Sequence, residues 1–323
     1  MPGIEEFTFG AFVVETAFVG DIAAFALGDG TLRLARGISV EQLDVHSGAI
    51  LAAAPTRDGK GLVTGGDDGR VTLIEEKGNV SVVAELPRKW IDRVATGPSG
   101  AIAFASGRQV VVRLGDGRER TFDLVRAAGG LAFAPKGLRL AVASYDGVSL
   151  WWVGTDAEPV TLHWKGAHLG VLFSPDNRYV VTTMQENALH AWRIEDRQDL
   201  RMSGYPAKTR SLGWTVKGRF LASSGADAAI LWPFHTKDGP MEKEPIQLGA
   251  REVQVTRVAC HPRKDEVAIG YRDGMINLVG IAQEKETLLR EPDGGPVSAL
   301  AFDRRGSRLS FGTEEGAAGV IGF

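Results

Sequence analysis

The sequence predicts an all-β fold assembled from repeated small sheets, on three observations. Short apolar runs rich in Val, Leu and aromatics alternate with Gly-, Asp- and Pro-bearing turns along the whole chain. Runs such as "LAVAS" and "VSLWWV" are too short for helices, and no stretch sustains a helical spacing of apolar residues. Glycine accounts for 41 of 323 residues, well above its usual ~7% share, and without a collagen period that excess marks tight turns. Finally, one turn recurs on a ruler. Its first residue falls at Asp29, Asp68, Gly107, Asp146, Glu186, Ala226, Asp273 and Glu315, with successive gaps of 39, 39, 39, 40, 40, 47 and 42 residues.

Each unit reads as strand, polar turn, strand, tight turn, strand. In chain order the units begin "ETAFVGDIAAFALGDGTLRLA" at Glu15, "AAAPTRDGKGLVTGGDDGRVTLIE" at Ala52 and "VATGPSGAIAFASGRQVVVRL" at Val94. The clearest copies follow: "LAFAPKGLRLAVASYDGVSLWWV" from Leu131, "VLFSPDNRYVVTTMQENALHAWRI" from Val171 and "SLGWTVKGRFLASSGADAAILWPF" from Ser211. The series ends with "VACHPRKDEVAIGYRDGMINLVGI" from Val258 and "LAFDRRGSRLSFGTEEGAAGVIGF" from Leu300. Asp-Gly stands at four of the tight turns, and this pair suits two-residue hairpins because both positions accept positive φ. The segments between units, such as "VEQLDVH", "RERTFDL", "PVTLHW" and "ETLLRE", supply a fourth strand.

Four short strands at a period near 40 residues match a β-propeller, and the pattern resembles the WD40 repeat family over the whole chain. The resemblance implies a Gly-His before the first strand, Ser or Thr in the second, Asp in the tight turn and Trp six residues later. Trp152, Trp192 and Trp232 take the Trp position in three consecutive units, whereas Ile74, Val279 and Ile321 stand there in others. Ser144, Asp146 and Trp152 match three positions of one unit, His46 and His168 lie near the His position of theirs, and no unit has all four. Packing between sheets is therefore expected to hold the ring, with the three Trp residues buried. The expected architecture is one domain, residues 1–323, of about eight four-stranded blades, with seven as the alternative. Its last unit lacks a fourth strand, so the N-terminal "IEEFTF", residues 4–9, is expected to supply it and close the ring, removing an exposed edge. The loop "PFHTKDGPMEKEP", 233–245, is expected to protrude from the face formed by the first turns, called bottom.

Bulk properties exclude several classes. A net charge of -3 suits neither a nucleic-acid binder nor a disordered acidic chain. Cys260 is the one cysteine, so no intramolecular disulfide is possible. Acidic Glu5 and Glu6 stand where a signal peptide would be basic, and no run reaches the 18 or so apolar residues that span a bilayer. Cytoplasmic residence follows as the expectation. The compact units and absence of long tails point to repeats of bacterial type.

No catalytic, cofactor or metal motif is found: no Walker loop, dinucleotide fingerprint, His-Glu-x-x-His, Gly-x-Ser-x-Gly or Cys-x-x-Cys. "GGDDGR" lacks the alternating carboxylates of an EF-hand. Cys260-His261 occupies a turn position equivalent to Ala134 and Ser174, and no further ligands gather by sequence. The expected function is thus a non-enzymatic scaffold without cofactors, monomeric, binding a protein or peptide rather than nucleic acid or membrane. A propeller enzyme or small-ligand binder at the channel mouth, and an architectural subunit of a larger complex, are the alternatives. The tight turns and inter-unit links share the opposite, top face. There Trp90, Arg126, Tyr145, Gln185, Lys208 and Arg272 are the candidate partner-binding residues, since Trp, Tyr and Arg often carry binding energy.

Overall fold

A computed structural model describes residues 3–323 as thirty strands and two single-turn 3-10 segments, Pro98–Gly100 and Val216–Gly218. Hydrogen bonding assembles the strands into seven sheets, six of four strands and one of six. In the first sheet, Val13–Val19, Ile22–Leu27, Thr31–Arg36 and Ser39–Asp44 follow one another as an antiparallel meander. The same meander recurs around the chain. Its first strands pack side by side about a central channel: Val13–Val19 touches Ile50–Pro55 on one side and Val297–Phe302 on the other. The propeller is therefore a closed ring.

The expectation of eight separate blades is corrected to seven sheets at the fourth and fifth repeat units. These share the six-stranded sheet, through two 14-residue strands, Arg139–Trp152 and Val160–Phe173. The first half of Arg139–Trp152 pairs back with Gly130–Phe133, and its second half pairs forward with Val160–Phe173. The reversal between them lies at Asp146 and Gly147, with φ of 70° and 138°, the left-handed region that Asp tolerates and Gly adopts freely. Val160–Phe173 in turn pairs onward with Tyr179–Met184. Elsewhere the link between units leaves the ladder. Here "WKGAH" stays extended, Tyr145 pairs with Ala167, and hydrogen bonding runs through the junction. A turn-based ruler counts both units but cannot see that they share one ladder.

Alternation along the strands puts apolar side chains into the spaces between neighbouring sheets. Phe122, Val110 and Val112 meet Leu140 and Val142 in one such layer, and Tyr179, Val181 and Leu189 meet Leu221, Ile230 and Trp232 in another. Each fully buried side chain of this size stabilises the fold by about 1.5–3 kcal/mol, so the layers between sheets are the main cohesive element, as expected.

The ring closes as the sequence suggests. Gly3–Thr8 pairs antiparallel with Ala317–Gly322, from Gly3 opposite Gly322 to Thr8 opposite Ala317. Phe7 and Phe9 stack at 5.6 Å, Phe9 packs on Phe25 of the first sheet at 5.4 Å, and Glu6 accepts from Arg290 Nε at 3.0 Å. The loop 233–245, expected to protrude, does so only in part. Lys237 O accepts from Arg178 at 3.3 Å, Asp238 lies 3.7 Å from Arg193, and Gly239 sits against the Tyr179 ring, where a Cβ would come 3.2 Å from its hydroxyl. Residues 237–239 of the insertion thus fold against the neighbouring unit, while Met241, Glu242, Lys243 and Glu244 stay exposed.

Candidate functional site

Several groups with catalytic potential are engaged inside the repeats. In the second sheet His46 Nδ1 donates to Asp68 Oδ1 at 2.9 Å and Nε2 accepts from the Thr64 hydroxyl at 2.8 Å. Burial raises the Asp68 carboxyl, but hydrogen bonds from His46 and from the Arg70 and Ser47 amides outweigh it and hold it below the usual carboxylate range. In the fifth unit His168 carries its proton on the other nitrogen: Nε2 donates to Trp164 O at 3.0 Å, and Nδ1 faces the Thr182 hydroxyl at 2.7 Å. In the sixth, Tyr205 stands in for the histidine, 2.6 Å from Ser223 Oγ and 2.7 Å from Trp232 Nε1. His261 is a turn residue: Nδ1 accepts the amides of Arg263 and Lys264, and Nε2 donates to Gly306 O at 3.0 Å. Turn chemistry likewise engages Asp29 with the Thr31 amide and Asp273 with the Met275 amide.

Two of the three spaced tryptophans are buried, Trp192 and Trp232. Trp152 is the exception, 45% exposed and lying beneath the Arg139 guanidinium at 5.4 Å. Its unit has Ala128 where the fifth has His168, so no histidine supports the ring there.

All six candidate partner residues are exposed. The structure brings them together in two pairs. Arg126 lies 6.0 Å above the ring of Tyr145, itself 52% exposed. Lys208 and Arg272 line one cavity of about 420 Å³ at the top of the channel, with Arg210, Gln254, Arg257 and Glu314. Trp90, 69% exposed, precedes the third sheet beside Lys89, whose ammonium donates to Gln109 at 2.7 Å. The Gln185 backbone N–H donates to the carbonyl of Ala167, the residue opposite Tyr145 in the ladder.

Sequence reasoning places Arg210 on the top-face links without making it a candidate, and misses Arg257. Arg257 lies on the first strand of the seventh unit, donates to Ser298 O and feels the charge of Glu15 of the first sheet. Burial raises the Glu15 carboxyl, against the pull of Arg257 and the Thr16 amide. A charged residue on a channel-lining strand was the available signal.

The bottom mouth holds a cavity of about 630 Å³ walled by Phe18, Phe133 and Phe302. Arg57 of the second sheet crosses it and donates to Phe133 O and Ala134 O at 3.1 and 2.7 Å, while Arg304 of the last sheet donates to Arg57 O. Gly59 keeps that crossing open, because a Cβ there would come 2.6 Å from the Arg304 guanidinium.

Comparison with known proteins agrees with this geometry. The WD40 family model, "WD domain, G-beta repeat", matches residues 37–75, the unit that holds His46, Thr64 and Asp68. The chain is similar to WD repeat-containing protein 55 of Rattus norvegicus, 26% identical over 197 residues, which are 58% of this chain and 50% of that protein. The chain thus spans about half the length of the curated relatives it matches. Among solved structures it is similar to the computationally designed Ika8 protein, with TM-score 0.78, 20% identity and 98% of each chain covered. It is also similar to the C-terminal WD40 domain of Sif2, with TM-score 0.75, 15% identity and coverage of 100% and 99%. These likenesses concern the fold. The curated relatives are mammalian, so the expected bacterial type of repeat gains no support. No helix among the described residues is long and apolar enough to cross a membrane.

Proposed function

We propose that the chain is a non-catalytic propeller scaffold, a single domain that binds a protein or peptide on its top face. One observation carries the reading: large side chains left unengaged by the fold, Trp90 and the Tyr145–Arg126 pair, are exposed on that face. The histidines that could serve chemistry there are meanwhile held by internal bonds. Exposed aromatics of this kind bury large apolar area at little entropic cost and dominate binding when a partner covers them.

The test is quantitative affinity purification of the tagged full chain from its native cell, set against a Trp90→Ala/Tyr145→Ala variant. A protein partner should fall about tenfold or more in the variant, given typical contributions of such anchors, while the melting temperature stays unchanged. Equal recovery would overturn the reading. A complex of fixed stoichiometry that ignores both substitutions would mark an architectural subunit instead.

A further inference from the structure

We infer that the cavity at the top mouth receives the carboxylates of an acidic peptide segment, a reading that rests on the peptide-binding function proposed above. Four cations, Lys208, Arg210, Arg257 and Arg272, line its roughly 420 Å³, against one acid, Glu314. Their placement is built into the backbone. The Ser224 hydroxyl accepts the amides of Arg210 and Ser211 at 3.2 and 3.1 Å, fixing the link between the fifth and sixth units. Gly225, at φ 102°, lets that link approach, since a Cβ there would stand 3.0 Å from Ala207 O. On the opposite wall the Arg272 amide donates to Gln254 O at 2.9 Å, and Thr256 Oγ1 donates to Val297 O at 2.8 Å.

Among the described residues none of these four cations forms an ion pair, whereas Arg219 and Arg251 of the same units lie 3.8 and 2.5 Å from Asp265 and Glu286. Four cations against the single lining acid Glu314, with Glu15 acting on Arg257 from the first sheet, leave like charges in excess, and a carboxylate ligand relieves that repulsion while forming charge-assisted hydrogen bonds. A second cavity of about 480 Å³ shares Lys208 and Arg210 and is walled by Leu169, Leu172 and Leu212. The two together fit acidic residues followed by an aliphatic one. The space takes one or two side chains at a time, and neither cavity is lined by an aromatic side chain on which nucleic-acid bases could stack. An acidic peptide is therefore favoured over RNA.

Fluorescence anisotropy of the full chain decides it, with three labelled probes: a short peptide of Glu-Glu-Leu repeats, its Gln-Gln-Leu counterpart, and oligouridylate. The Glu peptide should bind at least about tenfold more tightly than the Gln peptide and weaken with added salt. Lys208→Glu/Arg272→Glu should lose that preference, whereas Arg263→Glu/Arg305→Glu, the same charge change on the bottom face, should retain it. If the first variant does not fold, Lys208→Ala and Arg272→Ala, taken singly, should each weaken the Glu peptide several-fold. Equal affinity for the two peptides, equal loss with the bottom-face variant, or tighter binding of oligouridylate would overturn the inference. Partner capture that depends on Trp90 and Tyr145 without acidic-peptide binding sinks this inference alone. Peptide binding without such capture sinks the Trp90–Tyr145 reading and leaves the cavity assigned.

Discussion

His190 lies in the strand Leu189–Arg193 at 0% exposure, stacked 4.1 Å from Trp164 and 4.6 Å edge-on from Trp192. Neither ring nitrogen has a hydrogen-bond partner, and the Asp199 carboxylate, 3.9 Å away, is too far to supply one. Burial, with smaller contributions from His168 and Arg201, lowers its pKa to about 3. An unfolded histidine titrates near 6.5. Above that pH both states hold the ring neutral and its contribution is intact. As pH falls below 6.5 the unfolded chain takes up a proton that the folded chain refuses, and stability drops by about 1.4 kcal/mol per unit until pH 3. Urea unfolding at pH 7.5 and pH 5 should therefore show a loss that shrinks by about 2 kcal/mol in His190→Phe. An unchanged difference would assign the acid sensitivity elsewhere. Cys260 shows the opposite response to burial, its thiol pushed up to about 12. At pH 8 its thiolate is then about a thousandfold scarcer than in an unfolded chain. Cys260 is only half-buried, so a thiol reagent should still label the native chain, but far more slowly than the unfolded one, and equal rates would contradict that.

Within single repeats, polar order runs along directed chains. Ser223 Oγ donates to Ile230 O at 3.1 Å, so its one proton is committed. Tyr205 must then donate to Ser223 and accept from the Trp232 indole, giving one direction from Trp232 to Tyr205 to Ser223 to the backbone. Tyr205→Phe leaves the indole N–H and the serine oxygen each short of a buried partner. It should cost about 1–3 kcal/mol in chemical denaturation, and a smaller loss would show that the chain is dispensable. This element also marks how far the sequence could be read. The tight turns, strand limits and pairing of residues 4–9 follow from local signals: Asp-Gly pairs, apolar alternation and an unmatched last strand. Tyr205 was not visible, because the His position was sought by residue identity, whereas any buried group with a donor and an acceptor in reach can occupy it. Nor was the shared sheet of the fourth and fifth units. It depends on "WKGAH" staying extended, with Gly166 at φ 117°, and nothing in its composition separates it from the links that leave the ladder. The candidate site was half legible. Lys208 and Arg272 were found on turns and links, but the cavity they share also needs Arg257, which feels the charge of Glu15 from 242 positions away in the sequence, a proximity that ring closure creates.

At the scale of the whole molecule, the ring joins the beginning of the described chain to its end through one outer strand. Six residue pairs connect Gly3–Thr8 to Ala317–Gly322, and the Phe9 amide adds a bond to Gly316 O at 2.8 Å. Phe7 and Phe9 then cover Phe25 and Val320 at the seam between the last and first sheets. Arg290, 5% exposed at its side chain, ties the same strand to the neighbouring sixth sheet: it donates to Glu6 and to Gly274 O at 2.8 Å, and its guanidinium lies 5.0 Å from the Phe311 ring. The seam thus combines a strand ladder, two aromatic side chains and a nearly buried cation. Removing residues 1–10 takes away all but the cation and leaves Ala317–Gly322 as a bare, apolar edge. Each lost aromatic contact is worth about 1.5–3 kcal/mol if fully buried, so the melting temperature should fall by about 10 °C or more. The exposed edge should also recruit a second chain, seen as dimers or larger species by light scattering. Glu6→Ala is the calibrating variant. It removes only the half-exposed carboxylate, worth about 0–1 kcal/mol, and should shift the melting temperature by no more than a few degrees. A truncated chain that melts like the intact one and stays monomeric would show that the packing between sheets holds the ring without its outer strand.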